Sequence, residues 1–460
     1  MESLTTVKKV ELVFRTVGER TSELALDLAL KNVAPDKVHV IENVRPFSQA
    51  VQQALAIDYD SDFVVFVDAD CLILEDMRPF LEENARPYVD SYVLDKFRQR
   101  VHAGVHITRI DVIRAMSRIK ASAGDKRYVL KPESRTRDLA LWELDEVKTF
   151  RRFRILHDFF QHYHDIFAKY VLRGLRSWKH DNRIKLDLTM KGWEDDDLDF
   201  LVARRAVDYA RNRIGLAHSA VALAEFIADL PIVARRQVEE MGIQEKAPLT
   251  LQEVLDFAAS PSVNERFEHR PVKVFGIGLS RTGTKSLTKA LDWLGFNVIH
   301  YPVGKEIFEE LTKGIHSFSL LQGYDGITDI TVAPFYAQLD KLYPGSKFIL
   351  TVRDKESWLR SLEQHWKDKP AFGDRPGRET KMKIRRFLRA AVYGCYAFNR
   401  DRMSYVYDLH YKNVVGYFRG RPESLLILDI VAGEGWEKLC PFLNVPMPDV
   451  PFPDVNEPTT

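Results

Sequence analysis

Short apolar runs alternate with helix-like stretches in the N-terminal part of the 460-residue chain. The runs VELVF (10–14), VHVI (38–41) and FVVFV (63–67) have the apolar character of buried strands. Helical periodicity occupies the intervals around 22–32 and near 48–57. Strands that alternate with helices form a parallel sheet covered by helices. The pattern therefore predicts a βαβαβ unit at the start of the chain.

The remainder of the chain predicts a second α/β unit after a helical interval. A charged, helical pattern runs from about 140 to 240 and contains an aromatic cluster at 155–172. The segment 241–271 has three prolines and no strong strand pattern, which is typical of a linker. Strand-like sequence resumes abruptly at 272–279. We expect further elements as a helix at 284–294 and strands in NVIHY, KFILTV (347–352) and SLLILDI (424–430). The predicted fold class is α/β, with domains at 1–240 and 272–460 and a helical linker at 241–271.

Composition and charge narrow the possible functions. Lys and Arg number 67 against 66 Asp and Glu, so the net charge of +1 argues against a protein that coats nucleic acid or an acidic membrane. The three cysteines, Cys71, Cys395 and Cys440, are too far apart for a disulfide framework or a zinc knuckle. From the sequence we expect neither a signal peptide nor a membrane span, since no window approaches about 18 consecutive apolar residues. We therefore expect a cytoplasmic protein with no nucleic-acid partner and no membrane segment.

The stretch from Val274 to Ser286 predicts a phosphate-binding loop. A buried strand, a short loop with Gly278 and Gly283, and a helix follow one another directly. Backbone N–H groups at such a helix N-terminus converge on an anion. Thr284 separates Gly283 from the following lysine, which departs from the nucleotide-triphosphatase signature. The residues expected to bind the phosphate of a cofactor are Ser280, Arg281, Thr282, Gly283, Thr284, Lys285 and Ser286.

Two motifs in this second unit resemble the sulfotransferase superfamily. Arg281-Thr282-Gly283-Thr284 is similar to the phosphosulfate loop of that family, whose donor is 3′-phosphoadenosine-5′-phosphosulfate (PAPS). A strand that ends in Arg353, with Ser361 eight residues later, is similar to the pair that holds the donor's 3′-phosphate in the family. The resemblance covers about 272–456 and implies a PAPS-dependent sulfotransferase whose product is adenosine 3′,5′-bisphosphate.

The resemblance also suggests catalytic residues. Arg281 stands where the family has its catalytic lysine, so it is expected to stabilise the leaving bisphosphate. The candidate bases for the acceptor hydroxyl are Asp329 and His300, with Asp329 preferred. The basic run 377–402 has two interpretations: it shields donor phosphates or meets an anionic acceptor, or it is a solvated helix face, which is the commoner explanation.

Two aspartates end a buried strand in the first unit. Asp68 and Asp70 follow FVVFV, and alternation places both on one side at the carboxyl edge of the sheet. Carboxylate oxygens in that position suit Mn²⁺ or Mg²⁺ bound to a diphosphate.

The arrangement around these aspartates resembles glycosyltransferases of the GT-A fold over about 8–220. The resemblance implies that Asp68 and Asp70 hold the metal and the pyrophosphate of a UDP- or GDP-linked sugar. The nucleotide is then expected near Arg15, Thr16 and Glu19. The base is expected to be Glu194 or Asp195, and His157, with its neighbour Asp158, is expected to complete the metal coordination.

The leading hypothesis is a bifunctional glycosyltransferase and sulfotransferase that acts on a hydroxyl of a glycan or glycosylated metabolite. In one alternative, the first domain binds carbohydrate without catalysing transfer. In another, the second domain is a nucleotide-dependent kinase. The oligomeric state and the identity of both substrates stay open.

Overall fold

A computed structural model describes residues 8–98, 101–120, 124–213, 215, 219–268, 272–373 and 379–455. Parts of the sequence predictions lie outside these residues: 269–271 of the expected linker, 377–378 of the basic run, and the last position of the 272–456 resemblance. The chain divides into two compact units, Met1–His269 and Arg270–Thr460. Within the described residues, no helix combines the length and apolar character needed to cross a bilayer.

The first unit is built on one mixed sheet. Its strands are β1 (Val10–Thr16), β2 (Lys37–Glu42), β3 (Phe63–Asp68), β4 (Cys71–Ile73), β5 (Tyr88–Asp95), β6 (Val101–Arg109) and β7 (Thr149–His157). Its helices are α1 (Ser22–Val33), α2 (Phe47–Leu55), α3 (Arg78–Glu83), α4 (Ile110–Arg118), α5 (Lys126–Leu130), α6 (Pro132–Glu143), α7 (Tyr163–Arg176), α8 (His180–Lys191), α9 (Leu198–Arg211), α10 (Ala220–Glu240), α11 (Leu251–Ala259) and α12 (Pro261–Glu268).

The strand order in this sheet is β2-β1-β3-β6-β5-β7-β4. β1 lies between β2 and β3 and is parallel to both, so the βαβαβ start predicted from the sequence is confirmed. β6 runs antiparallel to both β3 and β5, whereas β5 and β7 are parallel. The sheet is therefore parallel at one side and mixed at the other.

Strand register places the polar residues of this unit at strand ends. Arg15 of β1 is aligned with Asp68 of β3, each at or next to the last residue of its strand. Asp95, the last residue of β5, is aligned with His157, the last residue of β7. His157 is also aligned with Cys71, the first residue of the antiparallel β4. These ends bring two polar clusters together at the edge of the sheet.

Strand β7 lies inside the stretch that was predicted to be helical, and that prediction was wrong for Thr149–His157. The strand reads TFRRFRILH. Its three arginines interrupt the alternation of apolar and polar residues by which a strand is recognised in a sequence. Arg151 stacks over Phe153 and Arg152 stacks over Tyr92, so the aliphatic stems pack like apolar side chains.

The segment 241–271, expected to be a linker, contributes α11 and α12 to the core of the first unit. Val254, Ala258 and Val263 are buried there among side chains of the sheet and its helices. Thr250 begins α11 with a capping box formed with Glu253.

The second unit has a fully parallel five-stranded sheet. Its strands are β8 (Val274–Gly276), β9 (Val298–His300), β10 (Gly326–Thr328), β11 (Lys347–Thr351) and β12 (Leu425–Leu428). Its helices are α13 (Thr284–Trp293), α14 (Lys305–Lys313), α15 (Tyr336–Leu342), α16 (Lys355–Asp368), α17 (Glu379–Tyr393), α18 (Arg400–Tyr417) and α19 (Trp436–Leu443). The strand order is β12-β11-β8-β10-β9, and each pair is parallel. The α/β class predicted from the sequence is confirmed.

Strand β8 is at the centre of this sheet, and its carboxyl end turns at once into the predicted phosphate loop. Glycine is required at position 278, because a Cβ there would lie 1.9 Å from the Thr351 hydroxyl at the end of β11. The close approach holds the loop against the neighbouring strand end.

Candidate active site

The loop between β8 and α13 has the geometry of an anion cradle. Arg281 and Gly283 have φ angles of 76° and 96°, in the left-handed region, so the chain curls before α13 begins. The Thr282 hydroxyl is within hydrogen-bond distance of the Leu279 carbonyl (2.7 Å) and the Thr351 hydroxyl (2.6 Å). The first N–H groups of α13 have no acceptor within the helix, which leaves them for an anion.

Arg353 and Ser361 both contact Arg281. The Arg281 Nε donates to the Ser361 hydroxyl (3.0 Å), and Arg353 Nη1 donates to the Arg281 carbonyl (3.2 Å). Arg353 also donates twice to the Ser357 hydroxyl, at 3.0 and 2.8 Å. The residues expected to bind the two donor phosphates are therefore adjacent. Ser357 is a further residue of this group, because it accepts hydrogen bonds from Arg353. The spacing of residues in the sequence did not indicate Ser357.

The two candidate bases form a pair. Asp329 is buried and accepts hydrogen bonds from the Ser280 hydroxyl (2.6 Å) and the Thr284 hydroxyl (3.0 Å). Its carboxylate lies 2.9 Å from His300 Nε2. Burial would raise the pKa of Asp329, but the hydrogen bond and charge of His300 and the Ser280 hydroxyl lower it to about 2. Asp329 is thus a fixed carboxylate that holds the His300 imidazole through Nε2.

A cavity of about 530 Å³ adjoins these groups. Ser280, Arg281, Gly283, Thr284, Lys285, Ser286, His300, Asp329 and Arg353 line one part of it. A second part is lined by His365, Trp366 and Lys369, which the sequence did not suggest, and by Lys381, Arg385 and Arg389 of the basic run 377–402.

Part of the basic run faces inward. Arg385 is 9% exposed and Arg389 is 4% exposed, so the interpretation of the run as a solvated face was wrong for these two residues. Their spacing of four residues on a helix is the signal that could have placed them on one face.

In the first unit, Asp68 belongs to an ion-pair network whose other members, Arg15 and Glu133, are buried. Arg15 donates from Nε to Asp68 (2.7 Å) and from both terminal nitrogens to Glu133 (2.9 and 3.2 Å). Burial, together with the charges of Asp70 and Glu133, raises the pKa of Asp68, although the charge of Arg15 opposes this. Glu133, from the first turn of α6, was not found from the sequence.

Asp70 belongs to a second network, centred on Lys169 of α7. The Lys169 ammonium is 2.6 Å from Asp70 Oδ2, 2.6 Å from Asp158 Oδ1 and 3.1 Å from His157 Nε2. His157 Nδ1 lies 2.8 Å from Asp95. Burial would raise the pKa of Asp70, but the charges of Lys169 and His157 lower it well below its ordinary value. Burial would lower the pKa of His157, but Asp158 and Asp70 raise it to about 10.

Two groups of side chains in this network have the spacing of metal ligands. Donor atoms of Asp70, Cys71 and His157 lie within 4.8 Å of one another, and so do those of Asp95, His157 and Asp158. Lys169 already contacts Asp70, Asp158 and His157, and the imidazole of a metal ligand must be neutral. In this arrangement the residues do not fit Mn²⁺ or Mg²⁺. Metal binding by Asp68, Asp70 and His157 stays a prediction from the sequence.

The remaining expected residues of this unit lie in two places. Glu19 accepts from the Thr16 hydroxyl and the Val17 N–H, both at 2.8 Å, and so closes the turn after β1. Glu194 lines a shallow groove with residues at the start of α9, and Asp195 is exposed and pairs with Arg204 at 3.1 Å. Among the described residues, neither Glu194 nor Asp195 has a hydrogen bond or ion pair with Asp68 or Asp70.

Comparison with known proteins identifies the second unit. Residues 273–460 match the family model described as "Sulfotransferase domain". "Ava biosynthesis cluster protein M" of Aspergillus versicolor is 28% identical over 213 residues, which cover 40% of this chain and 80% of that protein.

Two solved structures show low similarity. The crystal structure of A197 from STIV is 15% identical and covers 25% of this chain and 71% of that chain, with a TM-score of 0.20. The glycosyltransferase GlyE of Streptococcus pneumoniae TIGR4 is 12% identical and covers 79% of this chain and 90% of that chain, with a TM-score of 0.19. TM-scores this low carry no information about function. The family match does, and it follows that residues 273–460 carry a sulfotransferase domain and that this part of the protein is a transferase.

Proposed function

We propose that the second unit transfers a sulfuryl group from PAPS to a hydroxyl of a small-molecule or glycan acceptor. The observation that carries this proposal is the meeting of the loop at 280–286 with Arg353 and Ser361, through direct contacts to Arg281. Two phosphate-binding elements from separate strand ends are what a donor with a 5′-phosphosulfate and a 3′-phosphate requires.

The geometry supports an in-line displacement with divided roles. His300 Nε2 donates to Asp329, which leaves Nδ1 to accept the proton of the acceptor hydroxyl. The acceptor oxygen then bonds to sulfur as the bond from sulfur to the phosphate oxygen breaks. Arg281 and Lys285 neutralise the charge that develops on the departing bisphosphate. Asp329 acts as a positioning residue for His300, which reverses the order of preference given by the sequence.

A binding experiment separates this function from the kinase alternative. Adenosine 3′,5′-bisphosphate should bind without a divalent metal and more tightly than ATP with Mg²⁺. Replacing Arg353 with alanine should weaken the bisphosphate about ten- to a hundredfold, because charge-assisted hydrogen bonds contribute about 1.5–3 kcal/mol. An analogue without the 3′-phosphate should be affected less. Equal binding of the bisphosphate and ATP would argue against PAPS as donor.

We propose that the first unit binds a nucleotide-linked sugar at the carboxyl edge of its sheet. The support is the position of Arg15, Asp68 and Asp70 at adjoining strand ends, where open α/β sheets bind ligands. Glycosyl transfer is the leading activity, and carbohydrate binding without transfer is the alternative. Turnover of UDP- or GDP-sugars by the wild-type protein, with and without Mn²⁺, distinguishes the two.

A further inference from the structure

Cationic side chains are in excess around the cavity of the second unit. Among the described residues that line it, seven are Lys or Arg and three are Asp or Glu. Arg281, Lys285 and Arg353 belong to the proposed donor site. The other four form what we call the α17 cluster: Lys369, Lys381, Arg385 and Arg389.

The α17 cluster lies beside the proposed base. Arg385 is hydrogen-bonded to Tyr301, which directly follows His300 in the chain. The Arg389 guanidinium stacks over Trp366 at 4.0 Å and donates to the Lys369 carbonyl at 2.6 Å, so its position is fixed. Arg353, in contrast, is held by Ser357 on α16. A cationic surface next to His300 is where an acceptor, rather than the 3′-phosphate, would bind.

Keeping these charges together is unfavourable without an anion. Burial and the positive charges of Lys285 and Arg385 lower the pKa of Lys369. Burial and the charge of Arg385 lower the pKa of Arg389 to about 10. A bound anionic group would remove this repulsion and gain charge-assisted hydrogen bonds.

We infer that the acceptor is a hydroxyl compound with an anionic oxygen group, a carboxylate or a phosphate, which the α17 cluster binds while His300 faces the hydroxyl. This inference rests on the proposed sulfotransferase function. Planar guanidinium groups suit oxyanions because they donate two parallel hydrogen bonds.

A matched pair of phenols tests the inference. 3-(4-Hydroxyphenyl)propionate and tyramine have similar size and opposite charge. Each is titrated calorimetrically into protein saturated with adenosine 3′,5′-bisphosphate. The propionate should bind at least about tenfold more tightly, as expected for one charge-assisted contact. Glucose 6-phosphate against glucose provides the phosphate arm of the same comparison.

Variants locate the effect. The double variant Lys369→Gln/Lys381→Gln should lower the preference for the anion relative to wild type, because two of the four cations of the cluster are gone. It should change the affinity for adenosine 3′,5′-bisphosphate less than about twofold. Lys383→Gln is the control, because Lys383 is exposed on the same helix and does not line the cavity. Equal binding of both members in each pair, or no binding of either anion, overturns the inference. A large loss of bisphosphate affinity in the double variant also overturns it, because the cluster would then serve the donor. Failure of the wild type to bind the bisphosphate refutes the proposed function itself.

A separate observation in the first unit concerns the cation at Asp70. The Lys169 ammonium contacts Asp70, Asp158 and His157, which are the atoms that a divalent ion at this site would need. Two of the three donors of the ammonium are taken by the carboxylates of Asp70 and Asp158, each at 2.6 Å. Asp68 has its own cation in Arg15.

We infer that Lys169 is the built-in counter-ion of Asp70 and that the wild-type first unit takes no divalent ion there. An ammonium and a divalent ion cannot occupy one place, because two positive charges a few ångström apart repel in a partly buried site. Removing the ammonium leaves two carboxylates and an imidazole around the position it occupied, which is a donor set suited to a transition metal.

Calorimetric titration of Mn²⁺ into the full chain tests this. Wild type and the control Lys31→Ala, an exposed lysine of α1, should show no site that depends on Asp70. Lys169→Ala should gain one site, and adding Asp70→Asn to Lys169→Ala should remove it. A wild-type Mn²⁺ site that is lost in Asp70→Asn overturns the inference, whether or not the lysine variant folds. A folded Lys169→Ala protein, checked by circular dichroism, that gains no Mn²⁺ site also overturns it.

Discussion

At the scale of single residues, the two candidate bases that the sequence offered, Asp329 and His300, differ in their hydrogen-bond partners. The Asp329 carboxylate accepts hydrogen bonds from the Ser280 and Thr284 hydroxyls and from the Ile330 N–H at 2.6 Å. It also contacts His300. A carboxylate with this many donors is a weak base, but it orients an imidazole well. In the proposed mechanism the histidine therefore accepts the proton, and the aspartate fixes its ring.

The first prediction concerns these two side chains. His300→Ala should lower kcat about 10²- to 10⁴-fold, the usual contribution of a general base. Asp329→Asn should lower kcat and change its pH profile, because the imidazole loses its charged partner. The measurement is steady-state turnover from pH 5 to 9, with adenosine 3′,5′-bisphosphate binding as the control for an intact donor site. A His300→Ala enzyme with near-normal kcat would exclude His300 as the base.

The pKa of Asp329 also predicts how stability depends on pH. Its value is about 2 in the folded protein, against 3.8 ordinarily. The folded state therefore holds the proton less tightly than the unfolded state. The resulting stabilisation is present above about pH 4 and is lost as the pH falls towards 2. Urea unfolding of wild type and Asp329→Asn should differ by about 2 kcal/mol near neutral pH, with the difference shrinking at pH 3. A constant difference across this range would contradict the predicted coupling.

At the scale of elements, the candidate site depends on the loop that joins β8 to α13 and contacts the end of β11. Glycine at 278 permits that contact. The glycines and their spacing predicted the loop from the sequence. The contact with Thr351 could not be predicted, because it depends on the parallel pairing of β8 with β11 in the folded sheet.

A pair of glycine substitutions tests this contact. Gly278→Ala should destabilise the protein by about 1–3 kcal/mol, because the new methyl group overlaps the Thr351 hydroxyl. Gly416→Ala is the matched control: it lies within α18 with nothing within 4 Å of a new Cβ, so it should leave stability unchanged or increase it by about 0.5–1 kcal/mol. Thermal and urea unfolding measure both. Equal effects would mean that the loop relaxes freely.

At the scale of the whole molecule, motifs made of neighbouring residues could be predicted from the sequence. Clusters of residues that are far apart in the chain could not. The phosphate loop, the Arg353–Ser361 spacing and the Asp68–Asp70 pair each lie within a few residues of a strand end. Lys169 and Glu133 come from helices far along the chain, and only the folded topology brings them to those strand ends. The near-zero net charge likewise conceals a strongly cationic cavity.

Two units with separate cores predict separable activities. Asp70→Asn should change nucleotide-sugar binding to the first unit, because Lys169 loses a charged partner at the proposed binding edge. It should leave sulfuryl transfer within about twofold of wild type, because Asp70 lies in the first unit and the residues proposed for sulfuryl transfer lie in the second, which has its own apolar core. Binding of UDP- and GDP-sugars and turnover of PAPS are measured on the same preparation. Loss of both activities from a protein that still unfolds cooperatively would mean that one composite site performs both reactions.

The backbone of Arg281 is left-handed, which costs stability, while its side chain is proposed to serve catalysis. A side chain with a Cβ pays about 1–2 kcal/mol for this conformation, whereas glycine adopts it without that cost. Arg281→Gly is therefore expected to release local strain and to abolish sulfuryl transfer, with unfolding free energy and kcat moving in opposite directions. A selection for thermostability alone would drift towards an inactive enzyme at this position. Only a selection that includes turnover would retain the arginine.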